Sequence, residues 1–377
     1  MYTRAERFAQ IFVVSVALLF AVGVTGFVVR GRDAPGDAGG TPAPTATPTP
    51  RPPTVKFTHD TCCAQTARYL RATWESSEKV TRATAALSPD PGFPCGTNAD
   101  AGGAKGVITC QGLLRGATDY VAKLSLTTAV GAFAFEHKFK TMGDKLANVQ
   151  WFTEFEDPHG DPLACAAASA RIVQFYTTGE DKTTAEGILA AASPLNRSRD
   201  PGLDPVAIAS IQKRLDARNN YHYYRFTSRE EATKSAVYWL LRSGKPVHVI
   251  TLAGQHDPLL VGFSGTFGTF YDDPVNQVGG VIVQDPQRGD MRPETASRRP
   301  DKYRTPGFQT GQLLDLGEWY RDEWWLGFTY TCCLSGVNVD RSDGAYPTPH
   351  WAGTFVIIVD DGDADNPPDR EGRVQWR

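Results

Sequence analysis

QWFTEFEDPHGDPLACAAASARIVQFY, residues 150–176, sets one cysteine, Cys165, where an acidic, proline-broken stretch gives way to an apolar run of helical length. Asp161-Pro162 reads as an N-cap followed by a first-turn proline, so the spacing predicts a helix through residues 164–176 that stops near Gly179. A cysteine in the first turn sits at the positive end of the helix dipole, which favours the thiolate, the nucleophilic form. Two later pieces complete a pattern: GKPVHVITLAGQHDPLLVGFSG, residues 244–265, and GGVIVQDPQRGD, residues 279–290.

An activated thiol needs an imidazole beside it and a third group to orient that imidazole. His256 is the candidate base and Asp285 the candidate orienter, accepting the other ring N–H. The oxyanion of a tetrahedral intermediate needs donors, for which Gln150 offers its side-chain amide and Cys165 its backbone N–H. Each residue also has a plainer reading. Cys165 is equally suited to a core helix, His256 to capping a strand, and Asp285 to opening the Asp-Pro turn. His248, in the strand-like VHVIT, is the rival base, and His159 in an Asp-Pro-His-Gly turn is a more remote one.

Outward from these pieces, a second helix is expected from Asp204-Pro205 through VAIASIQKRLDA. A third is expected from a Ser228/Glu231 capping box to Gly244. PVHVITL, PLLVGFS, GGVIVQD and GTFVIIVD read as strands. Helices followed by strands over residues 149–360 give an α+β class, with an acidic, loose tail over 361–377. In that tail Asp361, Asp363 and Asp365 lack the glycine and closing glutamate of a calcium loop. Trp319, Trp324 and Trp325 suit either a substrate groove or the core.

Residues 55–148 read as a small α+β accessory region: a helix around Ala64 to Leu87, then strands at GVITCQGLL, DYVAKLSLTTA and GAFAFEHKF. Residues 31–54 form a Pro/Thr-rich spacer with polyproline character. Within residues 1–30, Ile11 to Val29 is an uncharged run of nineteen residues. At about 1.5 Å per residue it nearly spans a hydrocarbon core of about 30 Å. It reads as an uncleaved membrane anchor, with a cleaved signal peptide as the competing reading. Either exports the rest of the chain to the extracytoplasmic side. The seven cysteines fit that compartment: Cys95 and Cys110 make a local pair, and the Cys62-Cys63 and Cys332-Cys333 doublets could bridge. Cys165 is left over. A net charge of -3 offers no basic field for nucleic acid.

Taken in order, these residues resemble the bacteriocin-processing type of papain-like cysteine peptidase, family thirty-nine, in its stand-alone bacterial form. The matching pieces are Gln150, Cys165-Ala166-Ala167-Ala168-Ser169 with RIVQFY, Gly244-Lys245-Pro246-Val247, His256 with Gly262, and Asp285-Pro286. The family pattern has Gly-Pro where this chain has Ala166-Ala167, and apolar residues where it has Asp257-Pro258. The resemblance implies a papain-like fold, a helix with the cysteine packed on an antiparallel sheet. It implies hydrolysis of a peptide or protein substrate through Cys165, His256 and Asp285, with no cofactor and no metal. A degenerate domain that binds peptides or wall polymers, and a cell-wall amidase or transglutaminase on the same fold, are the rivals.

Overall fold

A computed structural model describes residues 51–59, 66–154, 163–198, 202–251, 254, 256–286, 313–319, 350–351 and 354–373. The apolar segment 11–29, both cysteine doublets, His159, Asp161-Pro162, Trp324 and Trp325 lie outside them. Among the described residues no helix is long and apolar enough to cross a membrane.

Alternation of apolar and polar residues shapes the first part of the chain into strands. These are β1 (Val55–His59), β2 (Arg71–Ser76), β3 (Val80–Ser88), β4 (Cys95–Ala99), β5 (Lys105–Cys110), β6 (Asp119–Thr128) and β7 (Gly131–Lys140). The sheets β1-β2-β5-β4 and β3-β6-β7 share one core containing Leu70, Trp74, Ile108, Tyr120 and Leu124. Cys95 and Cys110 face each other across β4 and β5 and form a disulfide. The expected helix around Ala64 to Leu87 is corrected: its described residues hold β2, most of β3 and the turns beside them, with no helical residue. Alanine, glutamate and lysine raise helix propensity there, but alternate burial on a shared core overrides a preference of a few tenths of a kcal/mol per residue.

The second part has α1 (Cys165–Thr178), α2 (Ala185–Ala192), α3 (Pro205–Leu215), β8 (Tyr221–Phe226), α4 (Arg229–Ser243), β9 (Val247–Val249), β10 (Leu259–Thr266), β11 (Gln277–Gln284), β12 (Leu313–Asp315), α5 (Leu316–Trp319) and β13 (Phe355–Asp360). Its sheet runs β12-β11-β10-β9-β13-β8, and every pairing is antiparallel. Both faces are covered. Tyr221, Tyr223, Leu259, Val261, Val356 and Ile358 join one core with α1 and α3. Tyr224, Phe226, Val247, Leu260, Ile357 and Val359 join another with α4. Each fully buried side chain of this size contributes about 1.5–3 kcal/mol.

Local signals explain the helix ends. Asp204 accepts a bond from the Ala207 N–H and precedes Pro205, and Ser228 accepts one from the Glu231 N–H. Gly244 ends α4 at φ +67°, and a Cβ there would lie 3.1 Å from that of Ala67, so both the backbone and the packing favour glycine. The α1 helix begins later than expected: its N-cap is Ala164, which makes Cys165 the first helical residue. The described part of the tail, residues 361–373, is anchored rather than loose. Asp361 lies 2.9 Å from His222 Nδ1 and accepts from the Tyr224 hydroxyl at 2.8 Å, and Glu371 pairs with Arg225 at 2.8 Å.

Backbone bonds join the two parts: the Arg68 N–H to the Leu241 carbonyl at 2.8 Å, Leu146 N–H to Val261 at 2.8 Å, and Phe263 N–H to Asp144 at 2.9 Å. Residues Pro50–Arg377 form one compact unit.

Between the two N-terminal sheets His59 lies against His137, with ring centroids 4.3 Å apart. Burial, helped by His137, lowers the His59 pKa from 6.5 to about 4. The unfolded chain therefore binds a proton that the folded chain refuses between these values, so stability falls as pH drops from about 6.5 to about 4. We expect His59→Phe to flatten the fall in melting temperature over that window, measured by circular dichroism. An unchanged pH slope would contradict this.

Candidate active site

Three chain segments converge at one edge of the second sheet. Antiparallel pairing of Leu259 with Gln284 sets the start of β10 beside the end of β11. His256 lies three residues before β10 and Asp285 immediately follows β11, so the strand register itself brings them together. Their Nε2 and Oδ1 atoms are 2.8 Å apart, and both side chains are 0% exposed.

The α1 helix brings Cys165. One turn on, Ser169 is fully buried and its hydroxyl donates to the Asp257 carbonyl at 2.5 Å, fastening the helix to the histidine segment. The alanines at 166, 167, 168 and 170 are all buried in the core with α3, where small side chains permit close approach. The Ala166-Ala167 departure thus serves packing.

The third segment, residues 149–154, is laced to the end of β11. The Trp151 indole donates to the Asp285 carbonyl at 2.7 Å, and the Glu154 N–H to the Pro286 carbonyl at 3.1 Å. Donor atoms of Glu154, Cys165 and His256 all lie within 4.8 Å of one another, and all three residues are buried. Because Asp285 occupies Nε2, the nitrogen left to Cys165 is Nδ1.

Electrostatics follow from burial and neighbours. Burial pushes the Cys165 thiol pKa up and the hydrogen bond with His256 pulls it down, while Glu154 and Asp257 add to the upward side. Burial alone would depress His256, but the Asp285 charge and hydrogen bond hold it well above 6.5. The pair therefore combines a thiol that resists ionisation with an imidazole made strongly basic. Proton transfer between them is what the site can do chemically.

The candidates from the sequence fare differently. Cys165, His256 and Asp285 meet here. Gln150 does not: it is exposed, and its amide donates to the adjacent Trp151 carbonyl at 3.4 Å. The position beside the thiol belongs to Glu154, which sequence reasoning missed. The chain between the two is tied to β11, and over three intervening residues it carries one side chain to the thiol and leaves the other in solvent. The available signal was a carboxylate set among Trp151, Phe152 and Phe155 with no basic neighbour in sequence. His248 is engaged elsewhere, 2.8 Å from Asp257 and 2.9 Å from the Gln212 amide. Trp319 is fully buried and donates to the Thr233 hydroxyl at 3.1 Å, so it belongs to the core.

No protein-family model matches the chain, and no curated protein matches it.

Ser169→Ala leaves the buried Asp257 carbonyl without this donor. It should cost about 1–3 kcal/mol in denaturant unfolding, and it should slow alkylation of Cys165 by loosening the histidine segment. Wild-type stability in the variant would show that the bond fastens nothing.

Proposed function

We propose that the chain is an extracytoplasmic cysteine peptidase with a papain-like fold, hydrolysing peptide bonds through Cys165, His256 and Asp285. The observation that carries this reading is the buried 2.8 Å contact between His256 Nε2 and Asp285, which leaves Nδ1 toward a thiol at the first residue of a helix. In this mechanism His256 Nδ1 takes the Cys165 proton as sulfur attacks the scissile carbonyl. The carbonyl becomes a tetrahedral oxyanion, and the helix N-terminus, whose first N–H groups lack partners within the helix, faces that charge. Its collapse expels the amine, which takes the proton from His256, and leaves a thioester. Water, deprotonated by His256, then releases the acid and restores the thiol. Asp285 holds the ring in one tautomer throughout.

The resemblance in ordered motifs supports the papain-like class, as does the cysteine-bearing helix packed on an antiparallel sheet. Export is supported by the Cys95–Cys110 disulfide, which suits an oxidising compartment, together with the apolar run at 11–29. A peptide or protein is the expected substrate, with the membrane as anchor.

The test is cleavage of a mixed-sequence peptide library by the full-length chain in detergent, read by mass spectrometry. Cys165→Ala should abolish cleavage, and His256→Ala or Asp285→Asn should lower it at least ~100-fold. Cleavage that survives Cys165→Ala, or no cleavage anywhere in the library, would sink the reading.

A further inference from the structure

Thiol catalysis uses an imidazole and the carboxylate behind it, and it leaves a second buried carboxylate unexplained. Glu154 is 2% exposed and lies beside the thiol and the imidazole.

The donor set has the form of a metal site. A carboxylate oxygen, a thiol sulfur and an imidazole nitrogen from buried Glu154, Cys165 and His256 lie within 4.8 Å of one another. Bonds of about 2.0–2.3 Å to a tetrahedral zinc ion would set such donors roughly 3.3–3.8 Å apart, so the side chains need only a small closing movement. The imidazole is already prepared. Its Nε2 is held by buried Asp285 at 2.8 Å, the carboxylate backing that metal-bound histidines commonly have, and its other ring nitrogen is left to the side of the thiol. The Glu154 N–H bond to the Pro286 carbonyl ties the third ligand to the strand end that carries Asp285. The three ligands by themselves, one thiolate, one carboxylate and a neutral imidazole, match the charge of a divalent ion. Sulfur with nitrogen and oxygen selects a borderline-soft cation over magnesium or calcium.

The geometry points to a site for one zinc-like divalent cation on Glu154, Cys165 and His256, with Asp285 behind the histidine, and to a thiol silenced while the ion is bound. Binding releases to solvent the protons held on the sulfur and on Nδ1, leaves Nε2–H with Asp285 and changes no oxidation state. The sulfur and Nδ1 lone pairs then both bond the metal, so neither attack nor proton transfer can begin. Only the silencing rests on the peptidase reading; the binding stands without it.

The full-length chain, stripped with EDTA, is titrated with Co²⁺. One equivalent should produce the intense thiolate-to-cobalt charge-transfer absorption, and one equivalent of Zn²⁺ should remove it. Cys165→Ser should abolish the band, Glu154→Gln should weaken cobalt binding at least ~10-fold, and Asp285→Asn should weaken it about 10–100-fold. If a variant fails to fold, zinc protection of wild-type Cys165 from iodoacetamide, mapped by mass spectrometry, reads the same site. No band and no protection, or a band that survives Cys165→Ser, overturns the proposal. Peptide hydrolysis by the stripped chain should stop at one equivalent of Zn²⁺ and return with EDTA; hydrolysis that zinc leaves intact overturns the silencing. A band without hydrolysis in any state sinks the peptidase reading while supporting the site. Cys165-dependent hydrolysis without a band does the opposite.

Discussion

An imidazole and a carboxylate buried against each other at one sheet edge govern the rest of this structure. Neither His256 nor Asp285 is exposed, and each removes from water a group that hydration would otherwise favour. Removing one partner of such a pair costs about 3–5 kcal/mol because the other is left buried and uncompensated. The surrounding structure must therefore hold the two within hydrogen-bond distance. The antiparallel register of β10 and β11 does so, since it fixes where one strand starts relative to where the other ends. Stability and the proposed chemistry rest here on the same 2.8 Å contact.

The remaining architecture delivers a thiol to that pair. Helix α1 is almost entirely buried, so its position is set by packing on both sides. Ser169 then sets the helix relative to the histidine segment through a single bond to the Asp257 carbonyl. The segment 149–154 closes the arrangement from the other side through bonds from Trp151 and Glu154 to the end of β11. Bonds from three directions hold the cysteine, histidine and aspartate segments, although these lie far apart in the chain. Asp257, the residue after His256, forms a second buried pair with His248.

Much of this was legible in the residues. The strands β9, β10, β11 and β13 are short apolar runs rich in branched side chains. The helices α3 and α4 carry their own N-caps, Asp204 and Ser228, and α4 its terminating glycine. The order of cysteine, histidine and aspartate survived into three dimensions because each stands at an element end. Other features depended on context. β2 and β3 were hidden by alanines and charged residues that favour helices in isolation. β8, YHYYRF, is buried on both faces and so shows no alternation. Helix α2 is short and contains Gly187, which weakens its periodic signal. Glu154 was illegible because its place beside the thiol depends on bonds to a strand end over a hundred residues away. Gln150 looked the better donor only while that tether was unknown.

The central claim is that His256, oriented by Asp285, takes the proton of Cys165. Alkylation by iodoacetamide in the presence of EDTA, mapped residue by residue by mass spectrometry, tests it without any assumption about substrate. Wild-type Cys165 should be alkylated at neutral pH, and His256→Ala, which removes the one neighbour that favours its thiolate, should slow that alkylation at least ~10-fold. Equal rates in wild type and variant would contradict the account and leave Cys165 as a buried residue of a packing helix.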